Sequence, residues 1–228
     1  MSDTPFRLVT FDVYSAMFDI RRSLVPVIKK ELGRHGIDAA EFLKIWRETQ
    51  LRYLQLDTLL SRGRTSFREL TRLSLMYTCA RSGVRLDGDA KSLVAAWEDL
   101  TPYEDVGSTL MELRREGYDV GLLSNGDRDM LHSLAGRLAV KPRYIFSAED
   151  AGVYKPHPKM YSQAVELTGL GVEEVVHVAG GSTDVVGSKS FGFFTVWVNR
   201  SGSVGETLPF QADETISTLV QLAAKLKR

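Results

Sequence analysis

The chain has 228 residues, 43% of them hydrophobic and 25% charged, an ordinary globular composition for one large domain or a core with an insert. Lys plus Arg (29) equals Asp plus Glu (29) and the basic residues are scattered, so no field argues for nucleic acid or an anionic membrane as partner. No stretch approaches the roughly 18 apolar residues of a membrane span, and MSDTPFRLVTF lacks the basic-then-apolar layout of a signal peptide, so a cytoplasmic protein is expected. The single Cys79 excludes an internal disulfide and reads as a packed thiol.

The first element lies in LVTFDVYSAMFDI (8–20), whose apolar run reads as a short buried strand stopping at Asp12. Residues 20–98 then hold helical stretches at about 22–35, 40–61, 66–82 and 89–99, with no convincing strand among them. Trp46 and Trp97 fall at helical spacing and read as core residues. LTPYEDV (100–106) reads as a return linker.

Beyond it, strand and helix alternate. YDVGLLSNG (118–126), RYIFSA (143–148), EVVHVAGG (174–181) and FFTVWVN (193–199) read as strands; 128–138, 158–170 and about 183–191 read as helices. Continuous apolar strands alternating with helices predict a parallel sheet covered on both faces. The expected fold is therefore α/β, a Rossmann-like core (1–18 and 100–228) with an inserted all-helical cap (19–99).

In such sheets ligands bind outside the carboxyl ends of the strands. Those ends collect Asp12, Ser124 and Asn125, the loop bearing Lys155, and AGGSTD (179–184) in one crevice that the insert can cover. The two prolines of YKPHP stiffen the loop that aims Lys155. A lysine there would keep Asp12 ionised, although a solvated turn lysine fits the pattern as well. His177, inside an apolar strand, reads as a satisfied core histidine rather than a catalyst.

The stretches FDVYSAMFD, LLSNG, VYKPHPKMY and HVAGGSTDVVGSKSFGFFTVWVNR resemble, in order and spacing, the four motifs of the haloacid dehalogenase superfamily. Tyr14 and the cap stretch IWRETQLRYLQL resemble its L-2-haloacid dehalogenase branch. The resemblance implies a metal-independent hydrolase of small 2-substituted carboxylic acids that works through an aspartyl ester and needs no cofactor. Asp12 would be the nucleophile, Lys155 and Asp184 would serve the ester step, and Arg47 and Asn125 would face the leaving group. Ser124 would hold the substrate carboxylate with backbone N–H groups after Asp12. Tyr14 and Tyr161 match tyrosines of the dehalogenase site, although Tyr161 is equally compatible with a packed ring. A homodimer paired through the cap is also implied.

Phosphatases of the superfamily gather Mg²⁺ between acids, but here Tyr14 replaces the second acid and Ala179 stands in place of a motif-four aspartate. A metal site is therefore not expected. The chain also departs from the dehalogenase pattern. Ala16 replaces a threonine, Ala179 a serine and Gly181 an asparagine, while Ser15 replaces a glycine and offers one donor back. That enlarged, less polar floor leaves a second reading open, a hydrolase that opens L-azetidine-2-carboxylate with a ring nitrogen as leaving group. A non-catalytic carboxylate-binding protein is the third reading; retention of Asp12, Arg47, Asn125 and Lys155 together argues against it.

Overall fold

The computed structural model describes residues 6–86 and 91–226. At its centre is β1 (Leu8–Phe11), four buried residues flanked by parallel β4 (Asp119–Ser124) and β6 (Val175–Ala179). The whole sheet runs β5-β4-β1-β6-β7-β8 and every pairing is parallel, with β5 (Tyr144–Ser147), β7 (Phe194–Val198) and β8 (Glu214–Ile216) completing it. A strand buried on both faces has no polar side to show water, which is why LVTF and VVHVA are nearly unbroken apolar runs. From β1 the chain builds one side through β4 and β5, then crosses back to build the other through β6, β7 and β8. The reversal falls at β1/β6, so Asp12, Ser124 and Ala179 end neighbouring strands at the topological switch point.

Helices α5 (Val106–Arg115), α6 (Arg128–Ala135), α7 (Ala148–Ala151), α8 (Pro158–Thr168), α9 (Ser182–Phe191) and α10 (Leu222–Leu226) belong to the sheet-containing half of the chain. Helix α5 shows an apolar stripe, burying Val106, Leu110 and Leu113 and exposing both terminal arginines, whereas α9 buries Asp184, Val185, Gly187 and Ser188.

The helical insert comprises α1 (Ile20–Leu32), α2 (Ala39–Leu60), α3 (Phe67–Arg81) and α4 (Lys91–Ala95). Side-chain caps start three of them. Asp19 accepts from Arg22 N at 2.9 Å, Asp38 from Ala40 N at 2.8 Å, and Ser66 from Glu69 N at 3.1 Å. Trp46 and Trp97 are fully buried with Phe67 between the helices, as their spacing predicts. Cys79 is a buried free thiol, pushed up to about 11 by burial.

Five features differ from the sequence reading. A two-stranded antiparallel ribbon, β2 (Phe18–Asp19) with β3 (Thr101–Pro102), joins the two ends of the insert where the sequence suggests only a linker. Such short strands leave no alternation to read. The edge strand β8 and helices α5, α7 and α10 were not anticipated, and α6 ends at Ala135, short of 138. The stretch expected as helix 22–35 is α-helical from Ile20 to Leu32 and then tightens to a 3₁₀ turn, Gly33–His35. The helix expected at 89–99 begins outside the described residues; from Lys91 it runs through α4 into a 3₁₀ turn, Ala96–Glu98.

Candidate active site

Asp12 leaves β1 with its backbone N–H still on the sheet, donating to Val178 O at 2.9 Å. The chain then makes one π-helical turn, Val13–Met17, for which Asp12 is the N-cap: Ser15 N donates to Asp12 Oδ2 at 3.2 Å. This donor is a backbone N–H that a glycine would offer equally, so it is not the donor expected from replacing glycine by Ser15. Gly180 packs against this turn so closely that an added Cβ would lie 2.5 Å from Ala16 N and 2.6 Å from Ser15 Cβ. Only a glycine lets the β6 loop approach there.

Lys155 is buried and bridges two carboxylates. Its Nζ donates to Asp12 Oδ1 at 3.3 Å and to Asp184 Oδ2 at 2.8 Å. Its backbone N–H donates to Asn125 Oδ1 at 2.8 Å, so Asn125 ties the end of β4 to the lysine loop. Asp184, in the first turn of α9, collects two further donors: Tyr161 Oη on Oδ1 at 2.9 Å and His177 Nε2 on Oδ2 at 3.0 Å. Burial alone would raise the Asp184 carboxyl; Lys155, His177 and their hydrogen bonds outweigh it and hold the group well below the usual carboxylate range. Burial and the neighbouring Asp184 push the Tyr161 hydroxyl far up, so it stays a neutral donor.

Above this ionic cluster Arg47 descends from α2. Its guanidinium is 5.3 Å from the Trp97 ring centroid and 5.8 Å from that of Tyr14, and Tyr14 stacks on Phe67. Gln50 Oε1 accepts its hydrogen bond, and among the described residues no carboxylate lies within ion-pair distance of it. Burial lowers its affinity for the proton, with Asp12 and then Tyr14 opposing that shift. Two buried donors beside it, Tyr14 Oη and Trp97 Nε1, have no partner. Burial pushes the Tyr14 hydroxyl well above the phenolic range. A cavity of about 670 Å³ opens from this level to solvent, lined by Tyr14, Ser15, Arg47, Tyr103, Gly180 and Arg200 among others.

The residues singled out in the sequence therefore occupy three levels. Tyr14, Ser15 and Arg47 line the cavity; Asp12, Lys155, Asp184 and Tyr161 form the ionic cluster; Ser124 and Asn125 end β4. Tyr161, expected beside the substrate, is fully buried, with its hydroxyl committed to Asp184. Ser124 is also fully buried, its Oγ accepting from Gly126 N at 3.4 Å. The positions expected to form the floor carry no polar side-chain atom, but Ala16 and Ala179 are fully buried and, like Gly181, do not line the cavity.

Sequence reasoning missed two participants. His177 is a satisfied buried histidine, as expected, yet one of its partners is Asp184. Arg200 makes a two-pronged pair with Asp105 at 2.9 Å on each prong, donates to Ala16 O at 3.0 Å, and lies 3.8 Å over the Tyr103 ring. No local pattern announces an arginine two residues past the end of β7 as the clamp on the nucleophile turn.

Asp12 and Asp184 do not suit Mg²⁺. The Lys155 ammonium occupies the space between them, and among the described residues no three His, Cys, Asp or Glu side chains gather as a metal site. The arrangement is instead that of a hydrolase with a strand-end carboxylate, a lysine-bridged second carboxylate and a cationic roof.

The comparisons agree with that class. A family model for haloacid dehalogenase-like hydrolases matches residues 6–192. An (S)-2-haloacid dehalogenase of Pseudomonas sp. (strain YL) is 30% identical over 214 residues, covering 92% of this chain and 90% of the relative. A dehalogenase crystal structure superposes with a TM-score of 0.90 at 29% identity over the full length of both chains. The Xanthobacter autotrophicus L-2-haloacid dehalogenase with chloropropionic acid covalently bound matches with a TM-score of 0.86 at 28% identity, over 96% and 97% of the two chains. The chain belongs to the haloacid dehalogenase-like hydrolases. Among its described residues, no helix is long and apolar enough to cross a membrane.

Proposed function

We propose that the protein hydrolyses small 2-halocarboxylic acids through an ester on Asp12, without a metal. The observation that carries this reading is the half-buried Arg47 guanidinium, which lines the cavity against the Tyr14 and Trp97 rings with no carboxylate partner among the described residues, within electrostatic reach of Asp12. A cation partly withdrawn from water and left unpaired attracts an anion. In this reaction an anion develops there: Asp12 attacks the substrate C2, the carbon–halogen bond breaks, and the halide leaves toward Arg47 with the bonding pair. The backbone N–H groups of the nucleophile turn and the strand ends at Ser124 and Asn125 hold the substrate carboxylate and the departing halide. Water then adds to the ester carbonyl of Asp12, with Asp184 and Lys155 beside it, and a 2-hydroxy acid leaves.

Two lines support the covalent route. Ala16, Ala179 and Gly181 offer no polar side-chain atom to orient a water for direct attack on substrate, and the similar Xanthobacter enzyme carries chloropropionic acid covalently bound. No observation of the site favours a ring nitrogen as leaving group over a halide.

The test is one turnover of (S)-2-chloropropionate with enzyme in excess, in heavy-oxygen water. Label should enter Asp12 and be missing from the lactate, and Asp12→Asn should abolish turnover while leaving the fold intact. Label in the first lactate, an active Asp12→Asn variant, or turnover confined to phosphate esters and abolished by EDTA would overturn the reading.

A further inference from the structure

His177 and Thr10 face each other across neighbouring strands, each two residues before Ala179 and Asp12 respectively. Both are fully buried, where a polar side chain is costly unless it is used. Their contacts form a line: Thr10 Oγ1 to His177 Nδ1 at 2.9 Å, His177 Nε2 to Asp184 Oδ2 at 3.0 Å, and Lys155 Nζ to the same Oδ2 at 2.8 Å. A carboxylate oxygen only accepts, so Nε2 must carry a hydrogen toward Asp184. Thr10 permits this whether the ring is neutral or charged. Its hydroxyl donates into Nδ1 when the ring is neutral; when Nδ1 is protonated it accepts, and donates to Val176 O at 3.2 Å. The donor toward Asp184 is therefore permanent, and no heavy atom moves when the ring changes charge. No other described side chain of β6 can reach Asp184 in this way, because Ala179, the next residue on the same face, has no polar atom.

We propose that His177, held by Thr10, is a positioning residue for the second half-reaction, orienting the Asp184 carboxylate for ester hydrolysis. This rests on the aspartyl-ester reading above. Water oxygen bonds to Cγ of Asp12 and one of its protons passes to Asp184. The bond from Cγ to the substrate oxygen then breaks, and Asp184 returns that proton to the departing 2-hydroxy acid. The new Asp12 carboxyl loses the remaining proton to solvent. Lys155 already holds Oδ2 and Tyr161 holds Oδ1. The histidine completes the donors on Oδ2, leaving Asp184 one unspent lone-pair site, on Oδ1. Ester formation makes no use of Asp184 as a base, so His177 should matter to the second step alone.

Rapid-quench mass spectrometry of the Asp12 peptide during turnover of (S)-2-chloropropionate separates the two steps. In His177→Phe, and in the isosteric Thr10→Val, the ester should form at the wild-type rate but decay at least tenfold more slowly, and so accumulate. His177→Gln, whose amide N–H can reach Asp184, should stay within about threefold of wild type. Circular dichroism checks folding, and Thr10→Val serves if the phenylalanine variant is unstable. Wild-type decay rates in folded variants, or formation and decay falling in proportion, would overturn the proposal while leaving the ester reading intact. A wild-type enzyme that turns over without ever showing ester on Asp12, or that leaves chloropropionate untouched, would refute the ester reading and this proposal with it.

Discussion

Lys155→Met puts the ionic cluster to a quantitative test. The lysine Nζ stands 3.3 Å from one carboxylate oxygen and 2.8 Å from another, with its side chain only 5% exposed. At an effective dielectric of about 20, each contact supplies roughly 5–6 kcal/mol of attraction, set against several kcal/mol for desolvating the ammonium. Methionine fills much of the same volume but leaves Asp12 and Asp184 facing each other without a cation. Removing one partner of a buried pair costs about 3–5 kcal/mol, and that is the expected loss in urea denaturation at pH 7. The pH dependence follows from Asp184. In the wild type its folded pKa is depressed, so its stabilisation is fully present above the unfolded value of about 3.9 and lost as pH falls through the folded value. Without the lysine, burial takes over and the folded carboxyl rises, so it destabilises the variant increasingly as pH climbs above 3.9. The gap between the two proteins should therefore widen from pH 4 to pH 7. Turnover should fall by at least about a hundredfold, as when one preorganised charge is removed from an active site. A gap under 1 kcal/mol at pH 7, an equal gap at both pH values, or activity within tenfold of wild type would refute the bridging role.

Gly180→Ala should destabilise by about 1–3 kcal/mol and cut activity, because its Cβ meets backbone of the nucleophile turn; Gly181→Ala, which meets nothing, should be neutral in thermal denaturation. Arg47→Lys keeps a charge but loses the planar face set against Trp97 and Tyr14, so kcat for (S)-2-chloropropionate should drop at least tenfold with the fold unchanged by circular dichroism. We propose that the chain pairs as a homodimer through the outer faces of α2 and α3, where Leu59 is 77% and Leu60 68% exposed and Leu56, Met76 and Tyr77 are exposed as well. Light scattering at micromolar concentration should give a dimer mass that Leu59→Glu with Leu60→Glu reduces to a monomer; a wild-type monomer would dispose of the idea.

How much of this was legible in the sequence depended on the range of the interaction. Buried strands announce themselves locally, as LVTF and VVHVA do, and their carboxyl ends directed attention to Asp12 and the loop after β6. The helices of the insert were legible from their apolar stripes, whereas the caps at Asp38 and Ser66 emerge only from the structure. Ribbon β2–β3 was not, because pairs of residues 82 and 84 apart form it and neither half has a pattern of its own. The edge strand β8 has a single buried residue, Ile216, and so carries no alternation to detect. Tyr161 and His177 illustrate the limit at the site. A buried tyrosine or histidine reads the same in sequence whether it touches substrate or supports a carboxylate; only the 2.9 Å and 3.0 Å contacts to Asp184 tell them apart.

The same limit hides what aims Arg47. A charged group on one part of the chain helps a reaction on another only if the two are held to within about an ångström. Arg47 and Asp12 are joined through some 35 residues of chain, with helix α1 between them, so covalent continuity alone cannot fix their spacing. Two sets of contacts do. At the hinge, Arg200 grips Ala16 O and Asp105, and Asp105 also accepts from Leu219 N at 2.8 Å, so the nucleophile turn, the strand returning from the insert and the C-terminal segment are tied together. At the far end, Asp127 serves the insert rather than its own helix α6. Its two oxygens accept from Phe67 N and Arg68 N at 3.0 Å each, the first turn of α3, and from Arg64 at 2.7 Å. Tyr154, next to Lys155, bonds Arg64 and the Thr65 carbonyl, and its backbone N–H reaches Thr58 Oγ1 at 3.0 Å. The loop that aims Lys155 is thus the same loop that holds the end of α2, the helix from which Arg47 descends. Nucleophile, bridging lysine and roof arginine are set by these two groups of largely half-buried hydrogen bonds, and a change at Asp127 or Tyr154 reaches the chemistry without touching substrate.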